Sequence, residues 1–334
     1  MARFQTPLLL ILGMIVLVGA ASLTGSEQLN FTLTEMLIRM VVVIGLYLFV
    51  GNSGVMSFGH IGFMSVGAYA TAWMTLPPEW KQVMLTDLPA MFQENTYPFP
   101  VAVLGSGLAA AGVALFLGIA IMRLSGLAAS IATFAFLAIV FSVYSNWESV
   151  TGGTSSVIGI PTVVGPWIAV GFVCAAIAAA YVFQVSPHGL MLRASRDDEV
   201  AAESSGVEIV RVRLVAFVCS AFLVGVGGAL YAHFLGVLTT DAFYLALSFV
   251  TLAMLVVGGL GSLTGAVMGT LAVTAIVELL RALERGADVG ATHLALPRGS
   301  QEIGLGLALA LVLIFRPSGL SGGRELKWPF KAKG

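Results

Sequence analysis

Charge is what this chain has least of. Of its 334 residues only 10% are Asp, Glu, Lys or Arg, against 58% hydrophobic. Soluble domains carry nearer a quarter charged residues, so a chain this poor in charge cannot cover a water-facing surface and most of it must face lipid. The formal net charge of −1 gives no basic surface and argues against nucleic acid as a partner. Cysteine is nearly absent. Cys174 and Cys219 both fall inside apolar runs and read as small packing residues, neither a disulfide nor a metal pair. No His/Cys/Glu ligand cluster, no G-x-S-x-G nucleophile turn and no G-x-x-x-x-G-K-[S/T] phosphate loop occurs. The chain therefore offers no catalytic residue, no metal site and no means of hydrolysing ATP. Ionisable residues are nearly missing from the apolar runs too, and a proton-coupled carrier would keep Asp, Glu or His there as a relay.

What the chain has is apolar length and glycine. A hydrocarbon core about 30 Å thick takes roughly 20 apolar residues as helix. Candidate spans fall at 7–23, 34–50, 57–76, 100–122, 125–146, 166–185, 212–235, 247–261, 265–280 and 301–316. The short ones leave eight to ten crossings. These features predict an all-α, polytopic helix bundle formed as one membrane domain over 1–334. The first apolar run, after Arg3, has the small residues Gly19, Ala20, Ala21 and Ser22 and could pass for a signal peptide. A retained first span is the better reading, because so many spans follow.

Lys and Arg orient such an array. With the N-terminus cytoplasmic and ten alternating spans, one side receives Arg3, Arg123, Arg193, Arg196, Arg211, Arg213, Arg316, Arg324, Lys327, Lys331 and Lys333. The other side keeps Arg39, Lys81, Arg281, Arg285 and Arg298. Eleven against five puts both termini, the basic tail 317–334 and the loop 186–213 in the cytoplasm. Three outer segments remain: a proline-rich 77–99, the turn-rich 147–165, and a mixed-charge, partly helical 281–300.

Two glycine-rich stretches interrupt the apolar sequence, GNSGVMSFGHIGFMSVGAY at 51–69 and GGLGSLTGAVMG at 258–269. Each reads as a helix, a tight break and a second helix opening at Ser or Thr. Breaks at membrane depth are tolerated only where they are buried or line a cavity. Their comparable places in the two halves hint at an internal duplication. In the first break Asn52, Ser53, Gly54, Ser57 and His60 would either line a translocation path or bond the interrupted backbone. For His60 the backbone reading weighs more, since freed polar groups in lipid must find partners.

The loop Ser186–Arg213 carries nine of the chain's 33 formal charges. Within it Ser195 is placed to cap a short helix, with Asp197, Asp198 and Glu199 in the first turn, where the helix dipole favours negative charge. Ala201 and Ala202 give it a small face and Gly206 ends it. A plain connector has no need of a capped helix, so this segment reads as a docking element for a soluble partner. On the opposite side Thr151, Gly152, Gly153 and Thr154 open the stretch TGGTSSVIGIP, either a plain turn-rich connection or a contact for a delivery protein or the carried molecule.

Three stretches resemble one family: GNSGVMSFGHIGFMSVGAYATA at 51–72, TGGTSSVIGIP at 151–161, and SPHGLMLRASRDDEVAAESSGVEIVRVRLVAF at 186–217. The last is followed by GGALYA at 227–232 and VVGGLGSLTGAVMG at 256–269. The chain is similar over about 34–316 to membrane permeases of branched-chain, hydrophobic amino-acid ABC importers. The resemblance implies a bacterial inner-membrane subunit working with a second homologous permease, two ATPase subunits that bind ATP and Mg, and a periplasmic binding protein. It implies that Asp197–Gly206 is a coupling helix, with Glu203 on it and Arg193 and Arg196 just ahead. Ala201, Ala202 and Gly206 fit the E-A-A-x-x-x-G pattern of importer permeases. Val200 stands where that pattern has Glu, with Glu199 one place earlier. Related permeases carry urea, short amides or other organic acids, and the binding protein selects the substrate first. Outside the family, the alternative is a self-sufficient secondary carrier or channel.

Overall fold

The computed structural model describes residues 5–285, 287–289, 292–294, 297, 299–316 and 318–326. Arg3, Arg298, Lys327, Lys331 and Lys333, which entered the charge count, lie outside the described residues. The element order is α1 (Gln5–Ser22), α2 (Glu27–Ser53), α3 (His60–Thr75), α4 (Pro78–Met84), α5 (Ala90–Gln93), α6 (Phe99–Ile121), α7 (Gly126–Asn146), α8 (Glu148–Thr151), strand β1 (Val157–Ile158) and α9 (Pro166–Val185). Then come α10 (Pro187–Asp197), α11 (Glu199–Ser204), α12 (Ile209–Leu235), β2 (Val237–Leu238), a 3-10 turn (Thr240–Phe243), α13 (Leu245–Gly258), α14 (Leu263–Arg285), β3 (Ala287–Val289), β4 (Thr292–Leu294) and α15 (Ser300–Phe315). Each expected span has its helix. Among the described residues eight stretches are long and apolar enough to cross a membrane: α1, α2, α6, α7, α9, α12, the 3-10 turn running into α13, and α14. The 16-residue α3 and α15 fall short.

Proline and glycine place the helix starts and stops. Pro77, Pro89 and Pro98 stand at the N-caps of α4, α5 and α6, positions whose missing N–H costs nothing. The outer segment 77–99, a proline-rich connection by sequence, thus holds two short helices. Past Arg285, Ala287–Val289 pairs antiparallel with Thr292–Leu294, so the helical part expected of 281–300 includes the end of α14.

The bundle is built around α2 and α12, both of 27 residues and so about 40 Å long. From Leu33 to Ser53 α2 is buried on nearly every face. Helices in lipid gain little from burying apolar side chains, so they associate where small residues let backbones meet. A Cβ placed on Gly228 of α12 would collide with the Met64 carbonyl of α3. One on Gly67 of α3 would strike the Gly225 carbonyl, and one on Gly225 the side chain of Ala110 on α6. Gly227 leaves room for Val42 of α2. The second glycine stretch does the same between α13 and α14, where Gly258 meets the Gly265 carbonyl and Gly269 the Met254 carbonyl.

Both glycine breaks lie at the end of the bundle that carries α10 and α11, and α4, α5, α8 and the β1–β2 pair lie at the other. The first break departs from expectation. Its second helix opens at Gly59, which provides no side-chain cap, and Ser57 bonds elsewhere. The second opens at Leu263, with the Ser262 hydroxyl accepting from Gly265 N at 3.0 Å.

Replacing Gly228 by Ala should lower the thermal midpoint of the purified protein in detergent by the equivalent of about 1–3 kcal/mol of overpacking. Gly112→Ala on α6, where nothing lies within 4 Å of the added methyl, should leave it unchanged or raise it. Equal midpoints for the two variants would contradict the close α3–α12 contact.

Candidate functional site

The charged loop folds as two helices at an angle. Ser186 caps α10, its hydroxyl accepting from Gly189 N at 3.2 Å. A second cap follows, the Asp198 carboxylate accepting from Ala201 N at 3.0 Å to start α11. Ser195, expected as the cap, is buried in α10 and donates to the Leu192 carbonyl at 2.8 Å. Asp197 ends α10, so the first turn of α11 holds Glu199 alone as its acid. Gly206 stops the segment with φ +85°, the left-handed conformation that an L side chain resists. Ala202 is buried, whereas Val200, Ala201, Glu203, Ser204 and Ser205 face solvent.

Two arginines fasten this element to the first glycine break. Arg193 Nε donates to Asn52 Oδ1 at 2.8 Å, and an Arg196 guanidinium nitrogen donates to the Gly51 carbonyl at 2.7 Å. Gly54, at φ +73°, leaves no side chain to obstruct the Arg196 stem lying over it. A third arginine was not expected. Arg213, buried in the second turn of α12, pairs with Glu199 at the head of α11. Sequence reading missed it because a residue ten positions beyond Glu203 looked like the first charge of the next span.

The break itself is dry. Asn52, Ser53, Ser57 and His60 are all 3% exposed or less, and each has a bond within the fold. Asn52 Nδ2 donates to the Leu48 carbonyl at 2.9 Å, and Ser53 Oγ accepts from Val55 N at 3.1 Å. Ser220 of α12 donates its hydroxyl to the Gly45 carbonyl at 2.6 Å. Its oxygen therefore accepts from His60 Nε2 at 2.8 Å, and Nδ1 accepts from the Ser57 hydroxyl at 2.7 Å. Phe49, Phe63 and Phe217 surround the ring. His60 thus ties α2, α3 and α12 together about 16 Å along α12. In this arrangement Asn52 and Ser53 bond the backbone of the break, Ser57 and His60 bond side chains, and all four are buried. Gly54, at the surface, is the exception.

At the opposite end Thr151 is buried and donates to the Tyr144 and Trp147 carbonyls at 2.6 and 2.8 Å. Gly152 and Gly153 both turn with positive φ, and Thr154 is exposed beside them. β1 pairs antiparallel with β2, and His233 at the end of α12 donates from Nδ1 to the Pro161 carbonyl at 2.7 Å. Its Nε2 accepts from Thr71 of α3 at 3.0 Å. Lys81 closes the α4–α5 lid there, its buried ammonium donating to the Phe92 and Asn95 carbonyls at 2.7 Å each. Loss of hydration pushes its pKa from 10.5 down to about 8.

The described part of the tail, 318–326, lies over the second break. Glu325 receives the Leu263 and Thr264 amides at 2.8 and 3.1 Å and so caps α14. Leu320 N and Ser321 N donate to the Val257 and Gly258 carbonyls at 2.8 and 3.0 Å.

A family model described as "Branched-chain amino acid transport system / permease component" matches residues 28–315. The "High-affinity branched-chain amino acid transport system permease protein LivM" of Salmonella typhimurium is 27% identical over 321 residues, covering 86% of this chain and 68% of that protein. The protein of the same name from Escherichia coli is 27% identical over the same shares. No solved structure matches.

Loss of the Arg213 pair should free α11 first. In Arg213→Met the α11 amides are expected to exchange about tenfold faster, the worth of one charge-assisted hydrogen bond, while the core of α12 stays protected. Unchanged exchange in α11 would show that Glu199 needs no partner. Lys81 gives a pH test. The unfolded amine titrates near 10.5 and the folded one near 8, so between these values the unfolded state holds the extra proton. Stability at this lid should be flat below about pH 8 and rise with pH above it. Lys81→Met should lose that rise, read as protease resistance of the 77–99 segment from pH 7 to 10.

Proposed function

The chain belongs to the permease-component family of branched-chain amino acid transport systems, and from that premise we propose that it is the membrane subunit of an ATP-binding-cassette importer. It is a multi-pass membrane protein and one component of a transport system. In our reading it carries branched-chain or related hydrophobic amino acids across the bacterial inner membrane, with both termini cytoplasmic. Two ATPase subunits bind ATP and Mg. A second homologous permease completes the path, and a periplasmic binding protein delivers substrate near Thr151–Thr154.

The observation that carries this reading is the α10–α11 element. A soluble partner that grips the exposed edge of α11 pulls on a capped, rigid piece. Arg193 and Arg196 join that piece to Asn52 and Gly51, at the break between α2 and α3. Closure of an ATPase dimer would move α11, and the break would let α3 swing against α2 between inward- and outward-facing arrangements. Without a phosphate loop of its own, the chain supplies the two-state element and the partner supplies the energy.

The test replaces 197–206 by a Gly/Ser linker in the assembled complex. Copurification of the ATPase and ATP-driven leucine uptake into proteoliposomes should both be lost. Asn52→Ala should keep assembly and ATP hydrolysis while uptake falls. Uptake by this chain alone, without ATPase subunits, would overturn the proposal in favour of a self-sufficient carrier. ATP-driven uptake of urea or short amides in place of leucine would overturn the substrate class alone.

A further inference from the structure

At the charged end of the bundle a cavity of about 570 Å³ opens between the end of α6, the start of α12 and the α11 segment. Its wall has two chemistries. Ile119 of α6 and Leu214 of α12 are apolar and belong to spanning helices, so they face hydrocarbon. One turn further along α6, Phe116 is 79% exposed and extends the same oily surface toward the membrane interior. The outer wall holds four charges, two of each sign: Arg123 and Arg211, Glu203 and Glu208. Arg211 and Glu208 make a loose ion pair at 3.6 Å with both side chains more than 70% exposed, an arrangement worth little by itself. Arg123 and Glu203 have no ion-pair partner among the described residues.

We propose that this cavity is a binding site for a zwitterionic phospholipid carrying a primary ammonium, of the phosphatidylethanolamine type. The phosphate lies between the Arg123 and Arg211 guanidiniums, which offer forked donors to its oxygens. The ammonium lies against Glu203 and Glu208. One acyl chain runs down past Ile119 and Leu214 toward Phe116. Charge complementarity decides the class. A purely anionic headgroup would satisfy the arginines and leave two carboxylates facing a negative charge. A choline headgroup places three methyl groups where the carboxylates need N–H donors. The apolar wall, which belongs to membrane spans, selects a lipid over a soluble phosphate or a protein side chain. Because Glu203 sits on α11, an occupied site ties the end of that helix to the membrane surface. The inference needs only the membrane placement of α6 and α12 and stands apart from what the chain carries.

The test is native mass spectrometry of the full chain, with whatever subunits copurify, after exchange into detergent containing equal amounts of phosphatidylethanolamine, phosphatidylglycerol and phosphatidylcholine. The unaltered protein should retain phosphatidylethanolamine about threefold to fivefold over each of the others, the scale of one or two surface charge pairs. Arg123→Ala with Arg211→Ala should lose that bound lipid. Glu203→Gln with Glu208→Gln should keep a lipid but lose the preference, with phosphatidylglycerol rising to equal occupancy. Thermal midpoints establish that each variant is folded, and if the arginine variant is not, the glutamine variant alone still tests the headgroup preference. Equal retention of all three lipids by the unaltered protein, or a preference for phosphatidylglycerol, overturns the proposal. So does exclusion of lipid from the site by a protein subunit in the assembled complex.

Discussion

The absence of side chains at Gly225, Gly227 and Gly228 governs this bundle. Lipid gives apolar helices little reason to prefer one another, so close backbone contact has to supply the packing. At the glycine step of α12 three other helices approach at once, α2 through Val42, α3 through Met64 and Gly67, and α6 through Ala110. This lets α3 be only 16 residues long. A helix so short could not cross lipid unaided. Packed against α6, α7 and α12 and buried over most of its length, it meets little lipid and can begin well inside the bundle.

Close packing also excludes solvent from the interior, and polar groups buried there call for hydrogen-bond partners. The two histidines buried among the described residues answer that demand in the same way. His60 joins α3 to α12 near the charged end, through Ser220. His233 joins them again near the other end, through Thr71, and reaches out to the Pro161 carbonyl. Between these polar ties the α3–α12 contact is glycine against backbone. The pair of helices is thus held at both ends and closely fitted in the middle.

The charged loop is attached to the same frame. Arg196 donates to the Gly51 carbonyl in the last turn of α2, Arg193 donates to the Asn52 side-chain oxygen beside it, and Arg213 reaches up from α12 to Glu199. Its two helices are therefore oriented by both long helices of the core. At the same end of the bundle Glu325 gives the N-terminus of α14 a carboxylate, and the tail satisfies the carbonyls of Val257 and Gly258. Each glycine break is closed by a segment remote in sequence, the first by α10 and the second by the tail.

How much of this could be read from the sequence follows from the range of the forces involved. Hydropathy is local, so every helical span was legible as an apolar run, although α2 starts seven residues before its expected 34 and α14 ends five after its expected 280, where polar residues continue the helix. The α10–α11 segment was legible as a charged island with Gly206 at its end. The caps were half legible. Asp198 and Ser195 are equally good residues for the position, and only the bend between α10 and α11 decides for Asp198. Lys81 looked like an ordinary surface charge until α5 brought two carbonyls to it. The family was legible from motifs because these are contiguous runs of sequence. Composition and pattern alone determined that this chain crosses a membrane many times and carries a charged, helix-forming element between two of its spans. Tertiary structure alone decided that Asn52, Ser57 and His60 are sealed inside the fold, that Arg213 holds α11, and that four charges surround one cavity. Those pairings join residues up to 160 positions apart, and no local pattern encodes which distant group will arrive to satisfy a buried donor.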